Sequence, residues 1–186
     1  MKRKLVIFGD QEIADLAYFY FTEDSNYEVA AFTVDDQFLN NDTLNKLPVI
    51  PYSLLKRDYP PEEFEMHIAI SYQKLNQLRQ EKYEIIKKNG YTMASYISTK
   101  SVYWRDLKHG DNCFILENQT IQPGVRIGSN VMIWSGNHIG HSTIIGNHTY
   151  IASHAVISGH TTIGERCFLG VNSTIKDFCE IGNDCF

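Results

Sequence analysis

The chain has 186 residues and a formal charge of −5, from 17 basic and 22 acidic side chains. Its hydrophobic fraction of 43% lies just under the roughly 45–50% of globular proteins, which excludes intrinsic disorder. The acidic balance argues against a broad phosphate-binding surface, so no nucleic-acid partner is expected. No run approaches the ~18 apolar residues that span a bilayer, and the Met-Lys-Arg-Lys start leads into Leu-Val-Ile-Phe without a secretory cleavage pattern. A soluble, cytoplasmic protein without membrane association is expected.

In chain order, residues 4–8 read as a short apolar strand ended by Gly9, residues 12–21 as a helix, and residues 27–34 as a second strand ending in Asp35 and Asp36. This is a βαβ pattern. Residues 67–70 follow as a strand, residues 75–88 as a charged amphipathic helix closed by Gly90, and residues 91–97 as a further strand. A small Rossmann-like α/β domain with a parallel sheet accounts for them. Lys82, Lys87 and Lys88 alternate with Glu81 and Glu84, the pattern of a solvated helix face. Residues 98–110 form the connector, and the expected domains are 1–105 and 106–186.

The second half is governed by a period of six. Stepping by six from Ile115 meets Ile121, Ile127, Ile133, Ile139, Ile145, Ile151, Ile157, Ile163, Leu169, Ile175 and Ile181 without interruption. Glycine follows the aliphatic residue at Gly128, Gly140, Gly146, Gly164, Gly170 and Gly182, and a small residue usually stands four places after it. Such a repeat describes a coil of three short flat strands per turn, eighteen residues in all, with the aliphatic side chains inside and parallel pairing between stacked coils. Glycine in the next position suits either a positive φ or tight packing at a corner.

Cys113, Cys167, Cys179 and Cys185 share one slot of this register and lack any CxxC spacing. They read as small core residues, and no metal site is expected. His148, His154 and His160 recur in one slot of successive hexapeptides. They therefore occupy three different corners and are expected to be solvated or interface residues. Trp134 falls in the slot that prefers glycine and is expected to point outward, toward a neighbouring subunit.

A short βαβ domain with a second strand ending Phe-Thr-Val-Asp-Asp, followed by hexapeptides containing IGHSTIIGNHTYIASHAVISGHTTIG, resembles the bacterial hexapeptide-repeat sugar acetyltransferases. That family comprises sialic acid O-acetyltransferases and N-acetyltransferases of nucleotide-linked amino sugars. The resemblance covers essentially the whole chain. It implies a left-handed parallel β-helix, a homotrimer with sites between neighbouring β-helices, acetyl-CoA as acyl donor, and a nucleotide-linked amino sugar of surface glycan or lipopolysaccharide biosynthesis as substrate. O-acetylation of a sugar hydroxyl, or a trimeric binding module without catalysis, are the alternatives.

The segment from Gly136 to Gly146 matches the family's catalytic stretch, with His141 as the general base and His138 beside it as an orienting residue. The family usually has an acid after this histidine, and here Ser142 stands there. By the same match Tyr150 takes the place of a histidine near the acetyl group. Gly159 and Val171 match the lining of the acetyl-CoA channel, with the Gly159 N–H as an oxyanion donor. In the first domain Gly9, Asp10 and Gln11 replace a glycine-rich phosphate turn. Asp35 and Asp36 match the strand-end pair that binds the base or ribose. The repeat runs to Phe186 without a cap, and residues around the adenine end of coenzyme A are expected beyond it.

Overall fold

The computed structural model describes residues 2–186. The chain divides into two compact units, one of residues up to Ser71 with Glu81–Ala94, the other of Tyr72–Gln80 with Ser95–Phe186. In the first unit, β1 (Arg3–Phe8), α1 (Glu12–Glu23) and β2 (Tyr27–Val34) form the expected βαβ element. β3 (Thr43–Leu44), β4 (Leu47–Pro51), the short α2 (Leu55–Asp58) and β5 (Phe64–Ile68) follow. The sheet order is β3-β4-β2-β1-β5, parallel except for the β3–β4 pair.

Nearly continuous burial along β1, β2 and β5 follows from covering both faces of a parallel sheet. One face packs Val6, Phe8, Met66 and Ile68 with Leu55, Tyr83, Ile86 and Tyr91. The residues after α3 (Gln77–Lys88), expected as one strand, divide instead. Met93 bridges Met66 in the first unit, while Tyr96–Ile97 belongs to the second unit and pairs with Phe114–Ile115.

The second unit is a left-handed parallel β-helix of two-residue strands on three faces. Face one carries Tyr96–Ile97, Phe114–Ile115, Met132–Ile133, Tyr150–Ile151 and Phe168–Leu169. Face two carries Thr120–Ile121, His138–Ile139, Val156–Ile157 and Thr174–Ile175. Face three carries Lys108–His109, Arg126–Ile127, Ile144–Ile145, Thr162–Ile163 and Glu180–Ile181. Neighbouring strands pair eighteen residues apart, as in Met132 with Tyr150 and His138 with Val156. The period-six aliphatic residues from Ile115 to Leu169 are buried together with Val125, Val131, Ala155, Cys113 and Cys167. Cys179 is half-buried and Cys185 exposed.

At Gly128, Gly140, Gly146 and Gly164 the glycine after the aliphatic residue serves close packing, and positive φ belongs to another slot. Asn118, Asn130, Ser142, His148, His154, His160, Arg166, Asn172, Phe178 and Asp184, each three places after an aliphatic residue, have φ of 55–62°. Asn, Asp and His tolerate that region better than most residues. A Cβ on Gly146 would instead lie 2.5 Å from the Gly164 carbonyl carbon, and one on Gly140 2.5 Å from the Gly159 nitrogen.

Tyr72–Gln80 packs against the corner that joins face three to face one. Buried Arg79 donates to the carbonyls of His148 (2.7 Å) and Asn130 (3.3 Å) and to Asn76 Oδ1 (2.8 Å). Asn76 in turn donates to the Arg166 and Cys167 carbonyls. Corner carbonyls thereby gain side-chain donors, that of Cys167 in addition to the Tyr150 N–H. His148 is buried here with its Nδ1 2.9 Å from Asn130 Nδ2, which corrects its reading as a solvated or interface residue.

Candidate active site

His141 lies on the turn between faces two and three, in the corner column that also holds Gly159 one coil further along. Its backbone N–H donates to Gln122 Oε1 at 2.8 Å, and its carbonyl accepts from the His160 N–H at 2.9 Å. The imidazole is exposed and sits on the Gly159 backbone, where an added Cβ would be 2.7 Å from Cε1 and 2.9 Å from Nδ1. The resemblance assigns these two residues separate roles, and the corner stacking brings them into contact. Among the described residues the Gly159 N–H makes no hydrogen bond.

A neighbour missed by sequence reasoning completes the column. His160 meets the His141 ring edge-to-face at 4.8 Å and stacks on Phe178 at 4.9 Å. The eighteen-residue spacing was the available signal, since 160 and 178 share a corner with the 141–143 turn. His138 is half-buried on face two, paired in register with Thr120 and Val156. Ser142 takes the left-handed position at φ 60°.

Tyr150 and Val171 lie elsewhere on the β-helix. Tyr150 is on face one, 5% exposed, stacked on Phe168 at 5.3 Å and capped edge-on by Tyr72 at 5.0 Å. Trp134 leans on the same cluster, 6.3 Å from Tyr150, and its Nε1 is buried without a hydrogen-bond partner. Val171 is 64% exposed on the corner between faces one and two. His154, also exposed, covers Gly136 on that corner, where a Cβ would approach its ring to 2.5 Å. Within one chain, therefore, His141 and Gly159 meet, and Tyr150 and Val171 do not join them.

In the first unit, the residues expected to bind substrate gather at the carboxyl ends of β1 and β2. Gly9 has φ +126°, its N–H donates to the Thr33 carbonyl at 2.8 Å, and a Cβ there would stand 2.9 Å from the Ala69 carbonyl oxygen after β5. Only glycine admits this approach without strain. Gln11 caps α1 through its carbonyl, and its Nε2 donates to Asp10 Oδ1 at 2.8 Å. Asp10 Oδ2 is buried and accepts no hydrogen bond. Asp36 accepts from the Ser53 N–H at 3.0 Å, and the Ser53 hydroxyl and then this N–H hold its carboxyl below the ordinary value.

Asp35 accepts from Lys82 Nζ at 2.6 Å, with the two side chains only 25% and 18% exposed. Lys82 therefore departs from the solvated helix face expected of it. β1 has β2 on one side and β5 on the other, so the chain's progress across the sheet reverses beside β1. In open α/β sheets ligands bind at the strand ends beside such a reversal.

Residues 106–140 and 124–159 match the bacterial transferase hexapeptide (six repeats) family, all within the β-helix. No curated protein matches the chain in sequence. The fold is shared with the acetyltransferase domain of PglB from Neisseria gonorrhoeae, solved with acetyl coenzyme A, at 20% identity and a TM-score of 0.84 over 98% of this chain and 86% of that one. It is also shared with PerB from Caulobacter crescentus, solved with CoA and GDP-perosamine, at 17% identity and a TM-score of 0.77 over 96% of this chain and 91% of that one. WeeI from Acinetobacter baumannii AYE is similar at 20% identity and a TM-score of 0.67, over 97% and 89% of the two chains. The architecture is thus a small α/β domain followed by a hexapeptide-repeat β-helix, with the same order and nearly the same extent as in those proteins. Among the described residues no helix is long and apolar enough to cross a membrane, and no three His, Cys, Asp or Glu side chains are grouped as a metal ion would require.

Proposed function

We propose that the chain is an acetyl-CoA-dependent N-acetyltransferase acting on a nucleotide-linked amino sugar in surface glycan or lipopolysaccharide assembly. The observation that carries this reading is the exposed His141 imidazole on a β-helix corner, seated on the Gly159 backbone. The amine lone pair attacks the thioester carbonyl, the amine proton passes to neutral His141, and the C–S bond breaks to release the coenzyme A thiolate. General-base help of this kind is worth roughly 10²–10⁴-fold. The free Gly159 N–H is the donor that meets charge developing on the thioester oxygen.

A trimer gives this site its remaining walls. Exposed Val171 is free to line the acetyl-CoA channel beside a neighbouring copy, whereas Tyr150, covered by Tyr72, shapes face one by packing. His138 orients the amine from face two. The α/β unit binds the nucleotide through Gly9, Asp10, Gln11, Asp35 and Asp36, and the reaction takes place in the cytoplasm, where acetyl-CoA is made.

The test is thiol release from acetyl-CoA with a panel of nucleotide-linked amino sugars. Release that depends on the amino sugar, with a product stable to mild alkali, is expected of an amide. An alkali-labile product would mean ester formation on a hydroxyl. No release with any amino sugar would overturn the reading.

A further inference from the structure

We infer that Lys82 is the anion-binding group of the crevice at the ends of β1 and β2, and that Asp35 is its resting counter-ion, exchanged for a diphosphate when ligand binds. This rests on the nucleotide-linked substrate proposed above, and it assigns a role to a residue that the sequence pattern places on a solvated face.

The turn after β1 carries a carboxylate, Asp10, where a glycine-rich turn would present bare N–H groups to a phosphate. The first turn of α1 adds Glu12 and Asp15. With Asp35 and Asp36 at the end of β2, these strand ends repel an anion unless a cation meets it. Lys82 supplies one. Its ammonium lies 2.6 Å from Asp35 Oδ1 and 5.6 Å from the centre of the ring of Phe8, the last residue of β1. The head group is therefore held across the ends of the two strands, and a lysine ammonium is a compact charge on a flexible stem that can change partner.

A second observation points to a ligand with hydrogen-bond donors. Asp10 Oδ2 is buried and unpartnered, a costly state for a carboxylate oxygen, which a ribose hydroxyl or base amino group would relieve. A ligand carrying both a diphosphate and sugar or base donors satisfies the two groups at once. Phosphate takes Lys82, and the donors take Asp10 and the released Asp35.

This exchange makes the two ends of the ligand respond in opposite ways to substitution. Calorimetric titration of the full chain without acetyl-CoA, using ADP, GDP, UDP, CDP and TDP, the matching nucleosides and inorganic pyrophosphate, separates them. At least one diphosphate is expected to bind with sub-millimolar affinity. Lys82→Met should weaken it at least tenfold while leaving the nucleoside unchanged or tighter, because Asp35 is freed. Asp35→Asn should do the reverse, tightening pyrophosphate and weakening the nucleoside. Lys87→Met, on the same helix, should leave all of them unchanged, and thermal unfolding verifies that each variant is folded.

Parallel loss of diphosphate and nucleoside in Lys82→Met, an unchanged diphosphate affinity, or no binding of any diphosphate to the wild type would each overturn the inference. Because no acetyl donor is present, these results are independent of whether the chain transfers an acetyl group.

Discussion

At Gly159 any side chain would collide with the imidazole of His141, and at Lys82 the ammonium has left the solvent for Asp35. Both cases show a residue whose setting is made by a neighbour fifteen or more places away. Cys113 is a third. Its Sγ lies 3.1 Å from the Gly128 carbonyl inside the coil, and burial pushes the thiol up to about 12. A thiol raised on folding leaves stability intact below its ordinary value of about 8.5–9 and removes it as pH climbs toward the raised value, since the unfolded chain then ionises first. Against a Cys113→Val variant, the wild type should therefore lose thermal stability between pH 8 and pH 11, groups common to both proteins cancelling in the difference. A Tm difference constant with pH would contradict the buried thiol. In the same folded protein Cys185 should react readily with a thiol reagent and Cys113 should not.

At the scale of the element, the corner glycines Gly128, Gly140, Gly146 and Gly164 are packing residues. Gly146→Ala would press a methyl group against the backbone of Gly164 and Glu165 at 2.5–2.7 Å. Overpacking against backbone costs about 1–3 kcal/mol, so the denaturant midpoint should fall with little change in slope; an unchanged midpoint would show that the coils are spaced more loosely. The six-residue period made the coil legible from Ile115 onward because one interior side chain per strand suffices to mark it. The left-handed slot was less legible, since Asn130, His154 and Phe178 share a backbone conformation but no common chemistry. Tyr72–Gln80 was hidden for a different reason. Asn76 and Arg79 are polar residues of a helical pattern, and their partners are corner carbonyls 51–91 residues away, which no local period announces. Likewise the charge alternation around Lys82 describes the helix alone, whereas Asp35 lies 47 residues earlier. His141 was legible through its flanking glycines, and Asp35 and Asp36 through the end of β2. The contact of His160 with His141 was signalled only by the eighteen-residue spacing of the stacked coils.

For the whole molecule, the division into an α/β unit and a β-helix unit separates substrate binding from acetyl transfer in the proposed reading. The β-helix keeps exposed apolar side chains on its outer surfaces, with Ile144 44%, Val156 41% and Val171 64% accessible. In the proposed trimer these side chains would be covered by neighbouring copies, and light scattering should return three times the chain mass of 21.4 kDa. The central claim, that His141 is the base, is tested most directly by the turnover of His141→Asn in the thiol-release assay, with mass and thermal unfolding recorded on the same sample. The account predicts a fall of about a hundredfold or more in a protein with unchanged assembly and stability. Near-normal turnover in that intact variant would contradict it.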